Sequence, residues 1–498
     1  MAIRMQIEHS YADTFAANLD AELVAPSQPA KARDPQWLAF NADLATQLGI
    51  PESLHATQAG LELYSGAKLP DWAQPVALGY AGHQFANFVP RLGDGRALLL
   101  AELVTADQQR FDMQLKGSGT TPFSRGGDGK APLGPVMREF LVSEAMHALG
   151  VPTTRALAAV ATGDWVQRDE AQPGAIITRI AKSHLRIGTA QFVAQQIAQG
   201  ADESLRQAFA DYVIQRHYPL SNDRKPPYRA LLRQIIDQQA HTVAHWMSLG
   251  FVHGVMNTDN MTLSGETIDY GPCAFMENYD PNAVFSAIDR AGRYAYKNQP
   301  GIALWNLARL AEAWLPLLAK TGESQEQLIE SVTELVHEFP IRYEAYYDQK
   351  MALKLGLRTP SKDTQAVVRD WLGILNTNQL DFTLSFRRLA DVLEIQDSRF
   401  NHLNEWNDWY QSWQQLLSRQ QDSATSVVTR MRQHNPAVIP RNHWVEASIQ
   451  ETLRSGELKI FNELAQVLRT PYDFPTALSR YAEPAAPEQR VTRTFCGT

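Results

Sequence analysis

His253-Gly254-Val255-Met256-Asn257-Thr258-Asp259-Asn260, followed downstream by Ile268-Asp269-Tyr270-Gly271, reads as two neighbouring loops that hold divalent metal against a nucleoside triphosphate. Loops of this kind run H-x-D-x-x-x-x-N and then D-F-G, the Asn and the second Asp holding the metals that bridge the phosphates. His253 and Asn260 match, and Asp269-Tyr270-Gly271 stands for D-F-G with Tyr in place of Phe. Val255 occupies the position of the usual catalytic aspartate, and a spare carboxylate, Asp259, sits beside Asn260. The metal-anchoring half is intact and the acid–base half has been rebuilt.

Outward from these loops the order of elements becomes informative. Residues 97–104 and 111–116 read as strands of a twisted antiparallel sheet between Gly and Asp turns. Just before them, in Leu92-Gly93-Asp94-Gly95-Arg96, Gly93 and Gly95 let backbone N–H groups approach phosphate oxygens and Arg96 adds positive charge. Gly-Asp-Gly is also an ordinary hairpin turn, and Leu98 stands where G-x-G-x-x-G has its third glycine. Lys116 ends a strand, and Glu139 lies on the first turns of a helix over 135–150. A lysine turned into the protein needs such a partner, because an unpaired ammonium in low dielectric is costly. Between them, residues 117–135 hold too many Gly and Pro for a regular element, and a loop of this length is usually functional or mobile.

A strand over 175–180 precedes mainly helical chain. The apolar spacing predicts helices over 228–249, 305–319, 325–339 and 404–417, and the Pro/Ala/Glu-rich tail from Pro471 is expected to be extended. Strands, a Gly loop, a Glu-bearing helix, a strand, then helices around a catalytic loop is the order of a bilobal protein kinase. The expected fold class is therefore α+β. An N-terminal extension (1–70) has no legible role; a lobe with an antiparallel sheet (71–185), a helical lobe with the catalytic and metal loops (186–470) and a tail carrying Cys496 (471–498) follow.

Asn260 and Asp269 offer hard oxygen ligands suited to Mg²⁺, with Mn²⁺ an alternative. Either residue alone is an ordinary loop polar, but their spacing across 261–268, with Gly265 near the turn, argues for the site. Asp259 is the candidate general base, against a second metal ligand or a loop cap. Arg179 and Arg186 fall where strands give way to helices, and their forks suit phosphates as well as plain surface. Gly129-Lys130 is no Walker A loop, since Ser124 and Ala131 break the pattern, and Ile341 excludes a zinc-protease reading of His337-Glu338.

Composition limits the partners. With 498 residues and 44% apolar content the chain can bury a large core, and 46 basic against 54 acidic residues, without a Lys/Arg run, disfavour nucleic acid. No apolar h-region or membrane-length apolar run is present, so no membrane association and a cytoplasmic location are expected. Two cysteines, Cys273 and Cys496, cannot build a disulfide framework.

Taken together, these residues resemble the selenoprotein O family, whose bacterial members carry cysteine in place of selenocysteine near the C-terminus. The likeness is most specific in Gly93-Asp94-Gly95-Arg96, Gln114-Leu115-Lys116-Gly117-Ser118-Gly119, the 124–130 loop, 253–261 and 267–272. The resemblance implies protein AMPylation, with ATP bound in a flipped orientation and AMP passed to Ser, Thr or Tyr hydroxyls of other proteins. It implies that Lys116, Arg179 and Arg186 contact phosphates, and that Gly93, Gly95, Arg96, Asp128, Gly129 and Asp269 help bind the nucleotide. Asn260 and Asp269 would hold Mg²⁺, Asp259 would be the base and Glu139 would orient Lys116. Cys273, four residues past Asp269, and Cys496 on the tail are read either as a reversible redox bridge or as two unrelated thiols. The rival readings are a conventional kinase transferring the γ-phosphoryl group and a non-catalytic nucleotide-binding scaffold.

Overall fold

The computed structural model describes residues 6–8, 23–220 and 227–495, and of residues 6–8 only the backbone. Its first half is built on strands β1 (Gln6–Glu8), β2 (Val24–Pro26), β3 (Gln36–Phe40), β4 (Val76–Leu78), β5 (Gly82–Gln84), β6 (Asn87–Val89), β7 (Ala97–Val104), β8 (Arg110–Lys116), β9 (Ala131–Pro132), β10 (Arg155–Gln167) and β11 (Ala171–Ala181). Nine of them form one sheet in the order β2-β4-β7-β8-β11-β10-β3, with β1 on β7 and β9 on β11, while β5 and β6 pair as a separate hairpin. β7, Ala-Leu-Leu-Leu-Ala-Glu-Leu-Val, is buried along its whole length, as expected of a strand covered on both faces.

Helices α1 (Ala42–Gln47), α2 (Gln58–Tyr64) and α3 (Leu133–Ala148) cover that sheet. Because strand side chains alternate between faces, Ile176, Ile180 and Val160 pack with Leu44, Leu48 and Tyr64 of the α1–α2 side. Ile177, Ala159 and Ala175 pack instead with Val136, Met137 and Phe140 of α3. The segment before residue 71, whose role is not legible in sequence, supplies β2 and β3 at the two ends of the strand order.

The second half is helical: α4 (Ile187–Ala198), α5 (Ser204–His217), α6 (Pro227–Leu249), α7 (Gln299–Trp314), α8 (Gln325–Val336), α9 (Glu338–Lys354), α10 (Lys362–Thr377), α11 (Phe382–Ile395), α12 (Trp406–Arg419), α13 (Ala424–His434), α14 (Asn442–Ser455) and α15 (Lys459–Leu468). A large apolar core runs through it, with Trp371 stacked on Trp409 at 4.5 Å. α14 and α15 leave that core and pack on α3, where Ile449, Phe461 and Leu464 join the Phe140 cluster.

The expected strands over 97–104, 111–116 and 175–180 and the helix over 228–249 are present. The helix expected over 325–339 is two helices meeting at His337. β10 escaped the sequence because its alanine-rich centre lacks the β-branched alternation that marks a strand. The tail is not uniformly extended; it forms short 3₁₀ turns at Thr476–Ala482 and Pro487–Gln489.

Candidate active site

The sheet brings the basic residues together. Lys116 at the end of β8 pairs with Ile177 of β11, and Arg179 pairs with Gln114, so Gln114, Lys116 and Arg179 share one face by strand periodicity. Over that face lies α3, and Lys116 Nζ donates to Glu139 Oε2 at 2.8 Å. Lys116 Nζ also reaches Asp269 Oδ1 at 2.5 Å, and Arg179 bonds both Glu139 and Asp269, the latter at 3.1 Å. Two carboxylates and two cations thus form a closed ring, buried except at Asp269. Burial alone would raise both acids, but Arg179 and Lys116 hold Glu139 below the usual carboxylate range, and Lys116 and Arg179 hold Asp269 well below it. Asp269 takes a left-handed backbone conformation, φ +66°, a strain that a non-glycine residue keeps only where its surroundings enforce it.

The two motif loops are rigidly held. His253 is fully buried and its Nε2 bonds the Ile268 carbonyl at 3.0 Å, tying one loop to the other. Tyr270, in the D-F-G Phe position, is buried and bonds Thr153. Asp259 and Asn260 sit on a 3₁₀ turn, Thr258–Asn260, and Asn260 Nδ2 donates to the Val255 carbonyl at 3.0 Å. Asp259 is 7% exposed, and its Oδ1 is a buried oxygen without a hydrogen-bond partner. Burial raises its pKa to about 6, against the pull of Arg186 and Gln84. An acid with one unpartnered oxygen, poised near neutrality beside Asn260 and Asp269, is a donor set that fits a hard divalent cation and a proton acceptor.

Arg186 caps α4, donates to the Asp259 carbonyl at 3.2 Å, lies 3.5 Å from Asp94 Oδ1 and stacks 4.3 Å from the Tyr80 ring centroid. All the expected nucleotide residues, Gly93, Gly95, Arg96, Lys116, Asp128, Gly129, Arg179, Arg186 and Asp269, line one cleft of about 410 Å³ together with Asp259 and Asn260. Glu139 stands behind Lys116. The glycines serve the loop that roofs the cleft: a Cβ on Gly93 would lie 2.3 Å from the Phe123 ring, and one on Gly129 would lie 2.1 Å from the Gly119 carbonyl. Asp128 is held by Arg168 at 2.9 Å.

Several lining residues had no signal in the sequence. Tyr80, Gln84, Phe85, Phe123, Arg168 and Ile288 reach the cleft only through tertiary folding. The Gly-rich turn does not directly join two strands of the sheet; the β5–β6 hairpin is inserted between β4 and that turn. Phe85 N donates to Asn257 Oδ1 at 3.1 Å and His83 N to Thr258 Oγ1 at 2.7 Å, so this insertion is sewn to the loop that carries Asp259 and Asn260. Cys273 is buried, with its thiol pushed up to about 12 by burial, and Cys496 lies outside the described residues. No helix among the described residues is long and apolar enough to cross a membrane.

The sequence profile of a family described as protein adenylyltransferase SelO matches residues 6–469. The chain is 47% identical over 506 residues to the protein nucleotidyltransferase YdiU of Bradyrhizobium diazoefficiens, covering 100% of both chains. It is 46% identical over 486 residues to the protein of the same name from Anoxybacillus flavithermus, covering 98% of each.

Proposed function

The chain belongs to the SelO protein adenylyltransferase family, and we propose that it transfers AMP from ATP to Ser, Thr or Tyr hydroxyls of other proteins. The observation that carries this reading is Asp259: a buried carboxylate with an unpartnered oxygen, raised to about 6, one residue from Asn260 and in the same cleft as Lys116, Arg179 and Arg186. The acceptor hydroxyl gives its proton to Asp259 as its oxygen bonds to the α-phosphorus, and the bond from that phosphorus to pyrophosphate breaks. Asn260 and Asp269 would hold Mg²⁺, or Mn²⁺ in its place, and the ion when bound would neutralise phosphate oxygens. Glu139 keeps Lys116 extended towards the cleft.

The two halves of the molecule correspond to the lobes of a kinase-like fold, with 71–185 and 186–470 as their approximate extents. A flipped nucleotide is supported by where the charge sits. The connection between the halves, 182–185, where an ordinary kinase would seat adenine, does not line the cleft, and Arg186, Tyr80 and Asp94 fill its near side. Lys116, Arg179 and Arg186 supply cations there for terminal phosphates, while Phe123, Arg125, Gly127 and Arg168 form a roof suited to base and ribose.

Redox control through Cys273 and Cys496 is supported by the course of the tail. Thr494 Oγ1 donates to the Pro272 carbonyl at 2.5 Å and Thr494 N to the Phe285 carbonyl at 2.8 Å, which brings the chain beside Cys273 two residues before Cys496. Exchange with a small disulfide would link the thiols and release the reduced small thiol. Free-thiol counts after oxidation that remain at two would remove this part of the proposal.

ATP labelled at the α or the γ phosphate, supplied with Mg²⁺ and candidate protein acceptors, tests the activity. The α label is expected in protein as an added AMP; the γ label alone would identify a conventional kinase, and neither label a scaffold.

A further inference from the structure

An acceptor protein must bring its hydroxyl to Asp259, and the inserted β5–β6 hairpin borders the way in. A Cβ at Gly82 would lie 2.5 Å from Asp259 Oδ1, so the base of the hairpin touches the carboxylate itself. Its two-residue tip, Phe85-Ala86, has φ values of +49° and +68°. A turn with both central residues in the left-handed region normally takes Asn and Gly, so holding Phe and Ala there is strained. The strain is kept in place by the Phe85 N–H bond to Asn257 and an edge contact of Phe85 with Tyr294 at 5.1 Å.

From that tip an aromatic and basic strip continues away from the nucleotide. His83 meets Phe88 at 5.0 Å and the edge of Trp305 at 5.2 Å. Two guanidiniums lie over the Trp305 ring, Arg293 at 5.0 Å and Arg309 at 4.9 Å from its centroid. Arg309 is paired with Glu312, but Arg293 has no carboxylate within ion-pair distance among the described residues, and its buried Nε has no hydrogen-bond partner. Phe88 is 42% and Ile288 56% exposed. Phe85 and Ile288 line the nucleotide cleft whereas Phe88, Arg293 and Trp305 do not, so the strip is continuous with the site and lies outside it.

We propose that this strip is the docking surface for the acceptor protein, and that it takes a segment carrying an acidic residue beside an apolar one near the modified hydroxyl. The proposal rests on the AMP-transfer reading. Arg293, backed by the Trp305 face, supplies a cation for a carboxylate, and exposed Phe88 and Ile288 supply apolar contact, a combination that favours a peptide anchor. The net charge of −8 on the whole chain makes this local excess of arginine selective for acidic segments rather than a general polyanion surface.

The probes are two fluorescent peptides of equal length with one Tyr and one Leu, differing in whether Glu or Lys flanks the Tyr. Anisotropy with the purified full chain reads binding without requiring transfer, and α-labelled ATP with Mg²⁺ reads transfer. The Glu peptide is expected to bind and accept label about tenfold better, and Arg293→Glu should erase or invert that ratio while ATP affinity stays within about twofold. Phe88→Asp, at an exposed position, should weaken both peptides. Equal binding of the two peptides, a ratio unchanged by Arg293→Glu, or tighter binding of a fluorescent oligothymidylate of matched charge would overturn the docking surface. Preferential binding without label in any peptide would keep the surface and overturn the transfer reading.

Discussion

One face of β8 carries two buried charge clusters that have been put to different uses. Lys116 belongs to the ring with Glu139, Arg179 and Asp269, while Asp112, four residues back on the same face, belongs to a second cluster. Gln114 stands between them and donates to Asp94 at 3.0 Å. In the second cluster Asp112 sits directly opposite Glu102 of β7, a cross-strand pair of like charges that would repel. Arg216 of α5 resolves the repulsion, reaching Glu102 at 2.6 Å and Asp112 at 2.9 Å, and also donates to the Lys182 carbonyl. These three side chains are each 1% exposed. The second cluster is sealed and fastens the sheet to the helical half, whereas the first opens on the cleft through Asp269, whose side chain is 23% exposed, beside the unpartnered Oδ1 of Asp259. Burial and ion pairing are common to both, so neither marks a functional site; access together with an unsatisfied group does.

The sharpest way to break this contrast is Asp259→Asn. It should lower AMP incorporation about 10³-fold with the fold intact, read with α-labelled ATP beside a thermal melt. An unchanged rate would place the base elsewhere. In the sealed cluster, Arg216→Met removes the cation shared by the two facing carboxylates, leaving Arg110 on Glu102 and His184 on Asp112, and should cost about 3 kcal/mol in urea unfolding, the folded fraction keeping its specific activity.

A third buried charge sharpens the comparison because no acid among the described residues lies within ion-pair distance of it. Lys354 is 2% exposed, lies 4.5 Å from the Phe386 ring centroid, and has its pKa lowered from 10.5 to about 7 by burial. The unfolded chain then binds this proton more tightly than the folded one, so the group's contribution to stability falls as pH drops from 10.5 towards 7 and is level below that. Lys354→Met should therefore stabilise the protein by roughly 2–3 kcal/mol at pH 7, discounted for the aromatic contact, with the gain fading as pH rises from about 7 towards 10.5. Denaturation midpoints across that range test it; a gain independent of pH would mean that packing, not charge, is responsible. The smallest effect is expected at Arg138, which donates to the Cys273 carbonyl at 3.1 Å and to Asn442 Oδ1 at 3.2 Å, linking α3, the segment after the metal loop and α14. Arg138→Lys should reduce kcat about tenfold through a slackened Glu139 and leave KM for ATP unchanged. A shift in KM alone would contradict that positioning role.

How much of this was legible depends on where each residue's partners lie. Lys116, Glu139, Asn260 and Asp269 are recognisable because their chemistry fixes their type and local elements fix their spacing. Arg168 and Phe123 leave no such trace, since their partners, Asp128 and Gly93, are met only after the loop has folded over the cleft. The same holds for β3, whose partner strand β10 comes more than a hundred residues later. His253, recognisable by its motif position, is a buried ring between two loops that finds a backbone acceptor in Ile268.

The sequence by itself determined the α+β class, the order of elements and the relocation of a carboxylate from position 255 to 259, because motif spacing and apolar periodicity are local properties of the chain. Only the tertiary structure decided that Asp259 would be desolvated with one oxygen unpartnered, that Arg216 would neutralise two facing acids, and that α14 and α15 would brace the Glu139 helix. Burial and pairing depend on what the fold brings from far away, and a group's electrostatic character is set by those neighbours rather than by its place in the sequence.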